Sequence, residues 1–453
     1  MTSRTAESRP ESVLACDAAV VGGGVAGLAA AIHLRQGGLS VLCIEPEPFP
    51  HLRVGESLDW SSPGLLAELG LSRDALVGER VATFKRNIKV VSPGVVVAGQ
   101  PPRWWGKPPL RFEQLTLHVD RQAMDDRLYA RAREVGVEFL WDRAARLAMD
   151  GARVAAVETA GGRRVEAAWF VDASGRNVRL FARQLGIRRV DYGREKVSFW
   201  CYLETPCENE GTTFYVEAPA DDYLSWIWEI PISPTMASIG CVLAAEAVKA
   251  ERRHGRRPGE ILRDRLARFP RFAPLLAGRP ELEVRATAYR CFVHRRACGP
   301  NWILAGESVS LPDALTGNGV TAAFRHAAEG ARWILDARGR GRLSRRQRRV
   351  YDRNVGRMGR MFNHSIETAV YRAPIRRGFG LTAAQSIYVS CAFTLNALYS
   401  RFRPRRRVSM LVFGLLTAGA WAWIESWSLL GRLAAGVRRL RGAGGRRAGA
   451  EAC

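Results

Sequence analysis

The feature that most constrains this chain is a glycine motif near its amino terminus, Gly22-x-Gly24-x-x-Gly27. It follows an apolar stretch that predicts a β-strand and opens an alanine-rich stretch that predicts a helix. Gly22 permits a tight turn, Gly24 lets a pyrophosphate approach the backbone, and Gly27 lets the helix pack closely on the strand. The helix amino terminus then presents unpaired N–H groups to phosphate oxygens.

An acidic residue at the end of the next predicted strand completes this pattern. The stretch SVLCIEPEP ends its apolar run at Glu45, 18 residues after Gly27. A carboxylate at this place accepts hydrogen bonds from the 2′-hydroxyl of a ribose. Strand, helix and strand therefore predict a dinucleotide-binding unit of the Rossmann type. The motif by itself leaves open whether the dinucleotide is NAD or FAD.

Charge and cysteine content restrict the classes of partner. The formal net charge is +24, and only five of the 68 basic residues are lysines. The sequence contains no helix-turn-helix, zinc-finger or RNA-recognition motif, so we expect no nucleic-acid partner. An acidic carrier protein or an anionic lipid fits the charge better. The nine cysteines are scattered, which predicts no metal site and a reducing, cytoplasmic setting. The first 15 residues have no apolar segment typical of a secretory signal.

The remaining stretches predict an α/β chain with a second sheet. TLHVDRQAMDDRL predicts a strand that runs into a helix, and residues 138–172 alternate like strands, with a Gly-Gly hairpin at 161–162. Residues 195–245 are aromatic and strand-like, which indicates an antiparallel sheet. Residues 301–335 predict a strand, a loop and a long helix.

The carboxyl-terminal part has a different composition. Residues 408–424 are 17 uncharged residues between arginine-rich flanks, and Glu425 interrupts the run. This is slightly shorter than a transmembrane helix of about 20 residues. Three interpretations stay open: a buried core helix, a helix lying on the inner membrane surface through 405–432, and a membrane span. The last residues are expected to form a flexible basic tail.

Three segments resemble the large family of FAD-dependent monooxygenases and their relatives. FVDASGRN, residues 170–177, resembles the Asp-Ala-Ser-Gly turn of those proteins. LHVDRQAMDDRL resembles the segment that places an arginine on the flavin, and the matching residue is Arg121. ILAGESVSLPDALTGNG resembles their second FAD motif, in which Gly306-Glu307 replaces the usual Gly-Asp. The resemblance implies FAD, and it implies that Glu307 holds the ribityl chain.

Two further segments resemble the flavin-dependent halogenases within that superfamily. In HLRVGESLDW, residues 51–60, the resemblance implies that Gly55, Glu56 and Ser57 line the flavin. The halogenase motif Trp-x-Trp-x-Ile-Pro is matched by four residues, Trp226, Trp228, Ile230 and Pro231. The resemblance implies that the indoles block direct oxygen transfer to the substrate. Two tryptophans on one strand face are also typical of an ordinary core, and that alternative stays open.

The same resemblance implies a catalytic lysine that captures hypohalous acid formed at the flavin. In ATFKRNIKVVS the matching residue is Lys85, and Lys89 is the second candidate. A desolvated amine can lose its proton and act as a nucleophile, which a guanidinium cannot. An exposed strand lysine without a catalytic role is the alternative.

A loop before the long helix is the matching place for the halide. There the resemblance implies that Asn318 and Gly319 donate backbone N–H groups to chloride or bromide. Tryptophan halogenases have a glutamate in this loop where Thr316 stands here, which indicates a phenol, resorcinol or pyrrole rather than free tryptophan.

The resemblance covers roughly residues 15–345 and implies an α/β fold of the glutathione-reductase and hydroxybenzoate-hydroxylase type. We expect a discontinuous FAD-binding domain at 15–190 and 285–345, an antiparallel substrate-domain sheet at 191–284 and a helical region at 346–453. The function implied is halogenation in secondary metabolism, with a separate flavin reductase and a free or carrier-tethered aromatic substrate. A geranylgeranyl-reductase or desaturase type of FAD oxidoreductase, an aromatic monooxygenase and a non-enzymatic scaffold remain alternatives.

Overall fold

The computed structural model describes residues 12–48, 54–92, 95–100, 113–216 and 223–360, with eight single positions. Those positions are 103, 363, 364, 366, 367, 371, 430 and 433. The strands of the described ranges are, in chain order, β1 (Ser12–Val21), β2 (Val41–Glu45), β3 (Ala82–Lys85), β4 (Ile88–Ser92), β5 (Val95–Gly99), β6 (Thr116–Val119), β7 (Glu138–Trp141), β8 (Ala144–Asp150), β9 (Arg153–Thr159), β10 (Arg163–Asp172), β11 (Arg189–Glu204), β12 (Thr212–Val216), β13 (Trp226–Pro231), β14 (Met236–Ala244), β15 (Arg285–His294), β16 (Trp302–Leu304) and β17 (Ser310–Leu311). The α-helices are α1 (Val25–Gln36), α2 (Ser62–Glu68), α3 (Arg73–Gly78), α4 (Arg121–Glu134), α5 (Gly175–Val178), α6 (Leu180–Gln184), α7 (Ala245–Arg253), α8 (Pro258–Leu266), α9 (Ala273–Ala277), α10 (Gly319–Ala337) and α11 (Arg345–Arg360).

The first sheet is the predicted Rossmann-like unit. Its parallel centre has the order β7-β2-β1-β10-β16. β9 pairs with β10 and β8 pairs with β9, both antiparallel. Helices α1 and α10 share one hydrophobic core with these strands. All five residues of β2 are buried, as expected for a parallel strand that is covered on both faces. The strand, helix and strand predicted around the glycine motif are confirmed.

The second sheet has eight strands in the order β17-β15-β11-β14-β13-β12-β4-β5. It is antiparallel except for the pair β12 and β4, which is parallel. The strands within residues 195–245 pair antiparallel with one another, as predicted. The parallel partner β4 lies outside that range and reaches the sheet from a segment far earlier in the chain, and parallel neighbours require such a crossover. Helix α8 packs against β11 and β14 on one face of this sheet.

Strand pairing does not follow the predicted domain boundaries. β4 and β5 lie before residue 190 and β15 and β17 lie after residue 284, yet all four pair in the second sheet. Sequence ranges miss this because hydrogen bonding joins strands that are distant in the chain. The division into an FAD-binding domain and a substrate domain stays a prediction.

The carboxyl-terminal region is described only in part. The helix α11 confirms helical structure at its start, whereas 405–432 and the basic tail lie outside the described residues. Among the residues that the structure describes, none of the helices is both long enough and apolar enough to cross a membrane. Within the same residues, no group of three or more His, Cys, Asp or Glu side chains is arranged to hold a metal ion.

Candidate active site

A cavity of about 760 Å³ is lined by residues of both sheets. Gly22 and Glu45 line it from the carboxyl ends of β1 and β2, and Trp226 and Trp228 line it from β13. Lys85, the last residue of β3, lines it as well. The carboxyl ends of parallel strands are where sheets of this type bind ligands. The predicted dinucleotide site, lysine and tryptophan pair therefore share one space.

The glycine turn at the head of α1 is packed too closely for side chains. Gly22 has φ +98, and a Cβ there would lie 2.5 Å from the carbonyl oxygen of Ala173. A Cβ on Gly27 would lie 1.8 Å from the carbonyl oxygen of Gly22. Gly24 is the amino-terminal cap of α1 and lines the cavity, and it has no side chain that could bond to the N–H groups of the first turn. The N–H groups of the first turn of α1 are thus available to an anion in the cavity, as a pyrophosphate requires.

Two buried carboxylates hold the turns beside this motif. Glu45 accepts a hydrogen bond from the backbone N–H of Gly23. Asp172, in the Asp-Ala-Ser-Gly turn, accepts hydrogen bonds from the backbone N–H groups of Ser174 and Phe181. Burial raises the pKa of Asp172, and these hydrogen bonds oppose that rise. The role predicted for Glu45 toward the ribose stays a prediction, while its contact with Gly23 joins β2 to the glycine turn.

The predicted flavin segment at 55–57 lies against the predicted arginine. Gly55 has φ +121, and a Cβ there would lie 2.8 Å from Nη1 of Arg121. That Nη1 donates to the carbonyl oxygen of Val54 at 2.7 Å, and Nη2 pairs with Asp125 at 3.1 Å. Gly55, Glu56 and Arg121 all line the cavity. Asp125 therefore orients Arg121, a function that the sequence pattern did not indicate.

The second predicted FAD motif lies at the other side of α1. Gly306 has φ +61, and a Cβ there would lie 2.6 Å from Cβ of Ala26. Glu307 is 42% exposed and its carboxylate is 3.7 Å from Nε of Arg176. Both charged side chains line the cavity, so the motif brings an ion pair rather than a single carboxylate. The ribityl contact of Glu307 stays a prediction.

Lys85 is a buried amine in this cavity. Its side chain is 3% exposed, and Nζ donates to Oγ of Ser57 at 2.8 Å and to the carbonyl oxygen of Leu58 at 3.0 Å. The ammonium position lies 4.7 Å from the ring centroid of Trp60. Burial lowers the pKa of Lys85 to about 7, although the negative charge of Asp59 opposes the shift. At neutral pH a large share of this side chain is therefore a neutral amine.

Lys89, the second candidate, has different surroundings. It is half-buried on β4, opposite Thr213 of β12, and it is not among the residues that line the described cavity. The structure thus brings Lys85, and not Lys89, to the dinucleotide motif.

Both tryptophans of the predicted motif are buried in the core and also line the cavity. Their ring centroids are 5.7 Å apart. Nε1 of Trp226 donates to the hydroxyl of Tyr371 at 2.9 Å, and Nε1 of Trp228 donates to Oγ of Ser238 at 3.1 Å. Ser238 in turn donates to Glu56 at 3.3 Å. The core strand and the site are therefore the same element.

The end of the motif contacts the strand that carries the lysine. Ile230 lines the cavity, and the carbonyl oxygen of Pro231 accepts a hydrogen bond from Oγ1 of Thr83 at 2.8 Å. Thr83 lies on β3, two residues before Lys85. This hydrogen bond holds β3 beside β13.

The predicted halide loop precedes α10, a helix of 19 residues. Gly317, with φ +63, and Gly319 line the cavity. Asn318 is the amino-terminal cap of α10 and is buried. Within the described residues, its Nδ2 has no hydrogen-bond partner. A helix amino terminus with an unpartnered amide donor suits an anion, and halide binding by Asn318 and Gly319 stays a prediction.

A charged cluster behind the tryptophans was not predicted. Lys196 is 1% exposed and pairs with Asp313 at 3.2 Å and with Glu367 at 3.6 Å. Asp313 also accepts from the hydroxyl of Tyr371 at 3.1 Å. Burial opposes the charge of Lys196, but the carboxylates of Asp313 and Glu367 raise its pKa. The one available signal was that Lys196 is among five lysines in an arginine-rich chain.

Residues 106–366, more than half of the chain, match the family model described as Tryptophan halogenase. This chain belongs to the tryptophan halogenase family. Residues 17–92 of this family member match the FAD binding domain family. The dinucleotide that the glycine motif left open is therefore FAD, and the close-packed turn at Gly22 and Gly27 fits it.

Two curated relatives of this family member are halogenases by name. It is 30% identical over 323 residues to a tryptophan 2-halogenase of Chondromyces crocatus, and the aligned region covers 68% of this chain and 59% of the relative. It is 30% identical over 237 residues to a 1H-pyrrole-2-carbonyl-[peptidyl-carrier protein] brominase of Pseudoalteromonas luteoviolacea, which covers 50% of this chain and 54% of the relative. The chain thus spans little more than half the length of these two proteins.

The fold agrees with that of a solved flavin-dependent brominase, Bmp2. The two superpose with a TM-score of 0.68 at 19% identity, over 88% of this chain and 97% of the other. The predicted fold class, an α/β flavoprotein fold with a second sheet, is confirmed.

Proposed function

We propose that this protein is an FAD-dependent oxidoreductase that halogenates an electron-rich aromatic ring in secondary metabolism. The observation that carries the proposal is Lys85, a buried amine whose pKa lies at about 7 in the cavity that also holds the FAD turn. A surface lysine keeps its proton at neutral pH, whereas an amine of this kind can accept an electrophile. Reduced FAD, when bound, supplies with dioxygen the oxidation of chloride or bromide to an electrophilic halogen.

The chain's own residues bind the halide, orient the cofactor and keep the substrate ring from direct contact with the flavin. Asn318 and Gly319 donate hydrogen bonds to the halide at the amino terminus of α10. Lys85 receives the electrophilic halogen and holds it for the substrate. Trp226 and Trp228 fill the space between the flavin side and the substrate side, so that the ring does not meet the flavin directly. Arg121, Glu45 and Glu307 orient the cofactor.

For the substrate, we propose a phenol, resorcinol or pyrrole. Aromatic side chains of the second sheet line the cavity, namely Trp200, Phe214, Trp226, Trp228 and Tyr289. Thr316 stands where the halogenases that act on free tryptophan have a glutamate. An electron-rich ring loses its proton without the assistance of that glutamate. The named activity of the Pseudoalteromonas relative supports a pyrrole that is tethered to a carrier protein. The net charge of +24 suits an acidic carrier.

A separate flavin reductase is the proposed source of reduced FAD. The test combines such a reductase, FAD, dioxygen and either chloride or bromide with a panel of phenols, resorcinols and pyrroles, free and carrier-bound. Products are identified by mass spectrometry. We expect a halide-dependent mass gain that Lys85→Ala abolishes, with a loss of at least about 100-fold, as for removal of a nucleophile or general base.

Lys89→Ala is the matched control, since it removes an amine from β4, the next strand along the chain, and leaves the cavity lining unchanged. It should retain activity within about twofold of the wild type. Halogenation that survives in Lys85→Ala would contradict the role of the lysine. Turnover without halide would instead support one of the other FAD chemistries, reduction or hydroxylation.

A further inference from the structure

A chain of four polar side chains leads from Lys85 into the protein interior. Nζ of Lys85 donates to Oγ of Ser57 at 2.8 Å. Oγ of Ser57 is 2.9 Å from Oγ1 of Thr212, and Oγ1 of Thr212 is 3.0 Å from Nε2 of His118. Each distance is that of a hydrogen bond. The chain therefore connects two basic groups through two hydroxyls without a gap.

Different elements contribute these groups. Lys85 ends β3, His118 lies in β6 and Thr212 begins β12, while Ser57 forms an isolated backbone bridge with His118. Lys85, Ser57 and Thr212 line the cavity. His118 is fully buried behind them. Within the described residues its Nδ1 has no hydrogen-bond partner, so the described contact of the ring is Thr212.

The two hydroxyls can each donate and accept, so the chain has two directions. When Lys85 is an ammonium, it donates to Ser57, Ser57 donates to Thr212, and Thr212 donates to Nε2 of a neutral His118. In this direction the neutral imidazole of His118 is the terminal acceptor of the chain.

The burial and the charges around this chain keep His118 neutral. Asp59 is the carboxylate whose charge acts on Lys85, and the ring of Trp60 lies 4.7 Å from its Nζ. Arg325 acts on Asp59 from α10. Burial and then the charge of Lys85 lower the pKa of His118 far below its usual value. His118 therefore stays neutral while Lys85 is an ammonium, so its Nε2 can accept a hydrogen bond from Thr212.

We propose that Ser57, Thr212 and His118 form a hydrogen-bond relay that accepts from the ammonium of Lys85 and fixes the position of its Nζ, with neutral His118 as the terminal acceptor. Its purpose rests on the proposed function, in which this Nζ receives the electrophilic halogen. His118 is a positioning residue that acts through Lys85 and does not touch the cavity.

The relay is tested without halogenation. Trace acylation of the full FAD-loaded protein with acetic anhydride, from pH 5 to pH 11, followed by peptide mass spectrometry, gives the titration midpoint of Lys85. We expect a midpoint near 7 in the wild type. Thr212→Val, His118→Phe and Ser57→Ala each cut one link. Each should lower the midpoint by at least about one pH unit, because the ammonium of Lys85 loses an acceptor chain that stabilises its charged form.

Thr212→Ser keeps the hydroxyl and should restore the wild-type midpoint. Lys89, read in the same samples, should not shift. Opening of the site to water would move Lys85 in the other direction, toward its ordinary 10.5, and that outcome or an unchanged midpoint would overturn the relay. If the midpoint falls as expected while Lys85→Ala still halogenates, the relay stands and the proposed function fails. If the midpoint is unchanged while Lys85→Ala loses halogenation, the proposed function stands and the relay fails.

Discussion

At the scale of single residues, two buried lysines have opposite electrostatics. Lys85 has hydrogen-bond acceptors but no ion pair within 4 Å among the described residues, so burial dominates and lowers its pKa to about 7. Lys196 has two carboxylates within 4 Å, which raise its pKa despite burial. The first arrangement favours a neutral amine, and the second a permanent cation.

The low pKa of Lys85 makes stability depend on pH. Below pH 7 the folded protein contains a buried ammonium, which lowers the free energy of unfolding. Between pH 7 and the ordinary 10.5 the unfolded chain binds one more proton than the folded chain, so the free energy of unfolding rises with pH, by up to about 1.4 kcal/mol per pH unit. Lys85→Met lacks this term.

We therefore expect Lys85→Met to be more stable than the wild type at pH 6 by a few kcal/mol and to lose this advantage as the pH rises. Urea unfolding of both proteins at pH 6, 7.5 and 9 measures the difference. Lys89→Met, at a half-buried lysine on β4, is the matched control variant and is measured at the same three pH values. A pH-independent difference for Lys85→Met would contradict the shifted pKa.

Removal of the second lysine should have the opposite sign. Lys196→Met leaves Asp313 and Glu367 buried without their cation, which costs about 3–5 kcal/mol of the free energy of unfolding at neutral pH. Lys249→Met on the exposed face of α7 is the control, with an expected change within about 0.5 kcal/mol. Chemical denaturation measures both. Equal stabilities of the two variants would mean that the cluster contributes no pairing energy.

At the scale of elements, the tryptophan strand β13 is shaped by its neighbour β14. Gly240 pairs with Trp228 across the two strands. A Cβ on Gly240 would lie 2.4 Å from Cζ2 of Trp228 and 2.5 Å from the carbonyl oxygen of Phe199. The indole occupies the space that a side chain at Gly240 would take. The position of Trp228 in the cavity thus depends on a glycine outside the recognised motif.

Gly240→Ala should displace Trp228, because neither the strand backbone nor the ring can yield cheaply. We expect a loss of about 1–3 kcal/mol in the free energy of unfolding, together with a change in tryptophan fluorescence. In Gly64→Ala, on α2, the added Cβ meets no atom within 4 Å, so this control should be neutral or slightly stabilising. An unchanged Gly240→Ala protein would show that β13 and β14 separate more easily than their packing indicates.

At the scale of the whole molecule, a residue beyond α11 completes the site. Tyr371 packs in the core of the second sheet, where its hydroxyl accepts from Trp226 and donates to Asp313. Asp313 begins the loop that leads to Asn318 and α10. Tyr371 therefore joins the tryptophan strand to the predicted halide loop.

Tyr371→Phe removes one acceptor and one donor from this buried network. We expect a cost of about 2 kcal/mol in the free energy of unfolding, because Trp226 and Asp313 each lose a partner. Tyr192→Phe, at a half-buried tyrosine whose hydroxyl has no hydrogen-bond partner among the described residues, should change stability by less than about 0.5 kcal/mol. Thermal or urea unfolding of the two variants gives the comparison, and a neutral Tyr371→Phe would exclude the hydroxyl as a link.

The sequence by itself determined the dinucleotide turn and the order of most strands and helices, and its resemblance to a known family singled out Lys85 and the tryptophan motif as predicted site residues. These depend on local rules, namely glycine conformation, hydrophobic periodicity and short motifs. Only the tertiary structure decided what surrounds them. His118, Thr212, Lys196 and Gly240 are distant in the chain from the groups they contact, and burial, which sets the charge of Lys85, exists only after β3, β6 and β12 have come together. Pairwise contact and desolvation are properties of the packed molecule, so no local pattern predicts them.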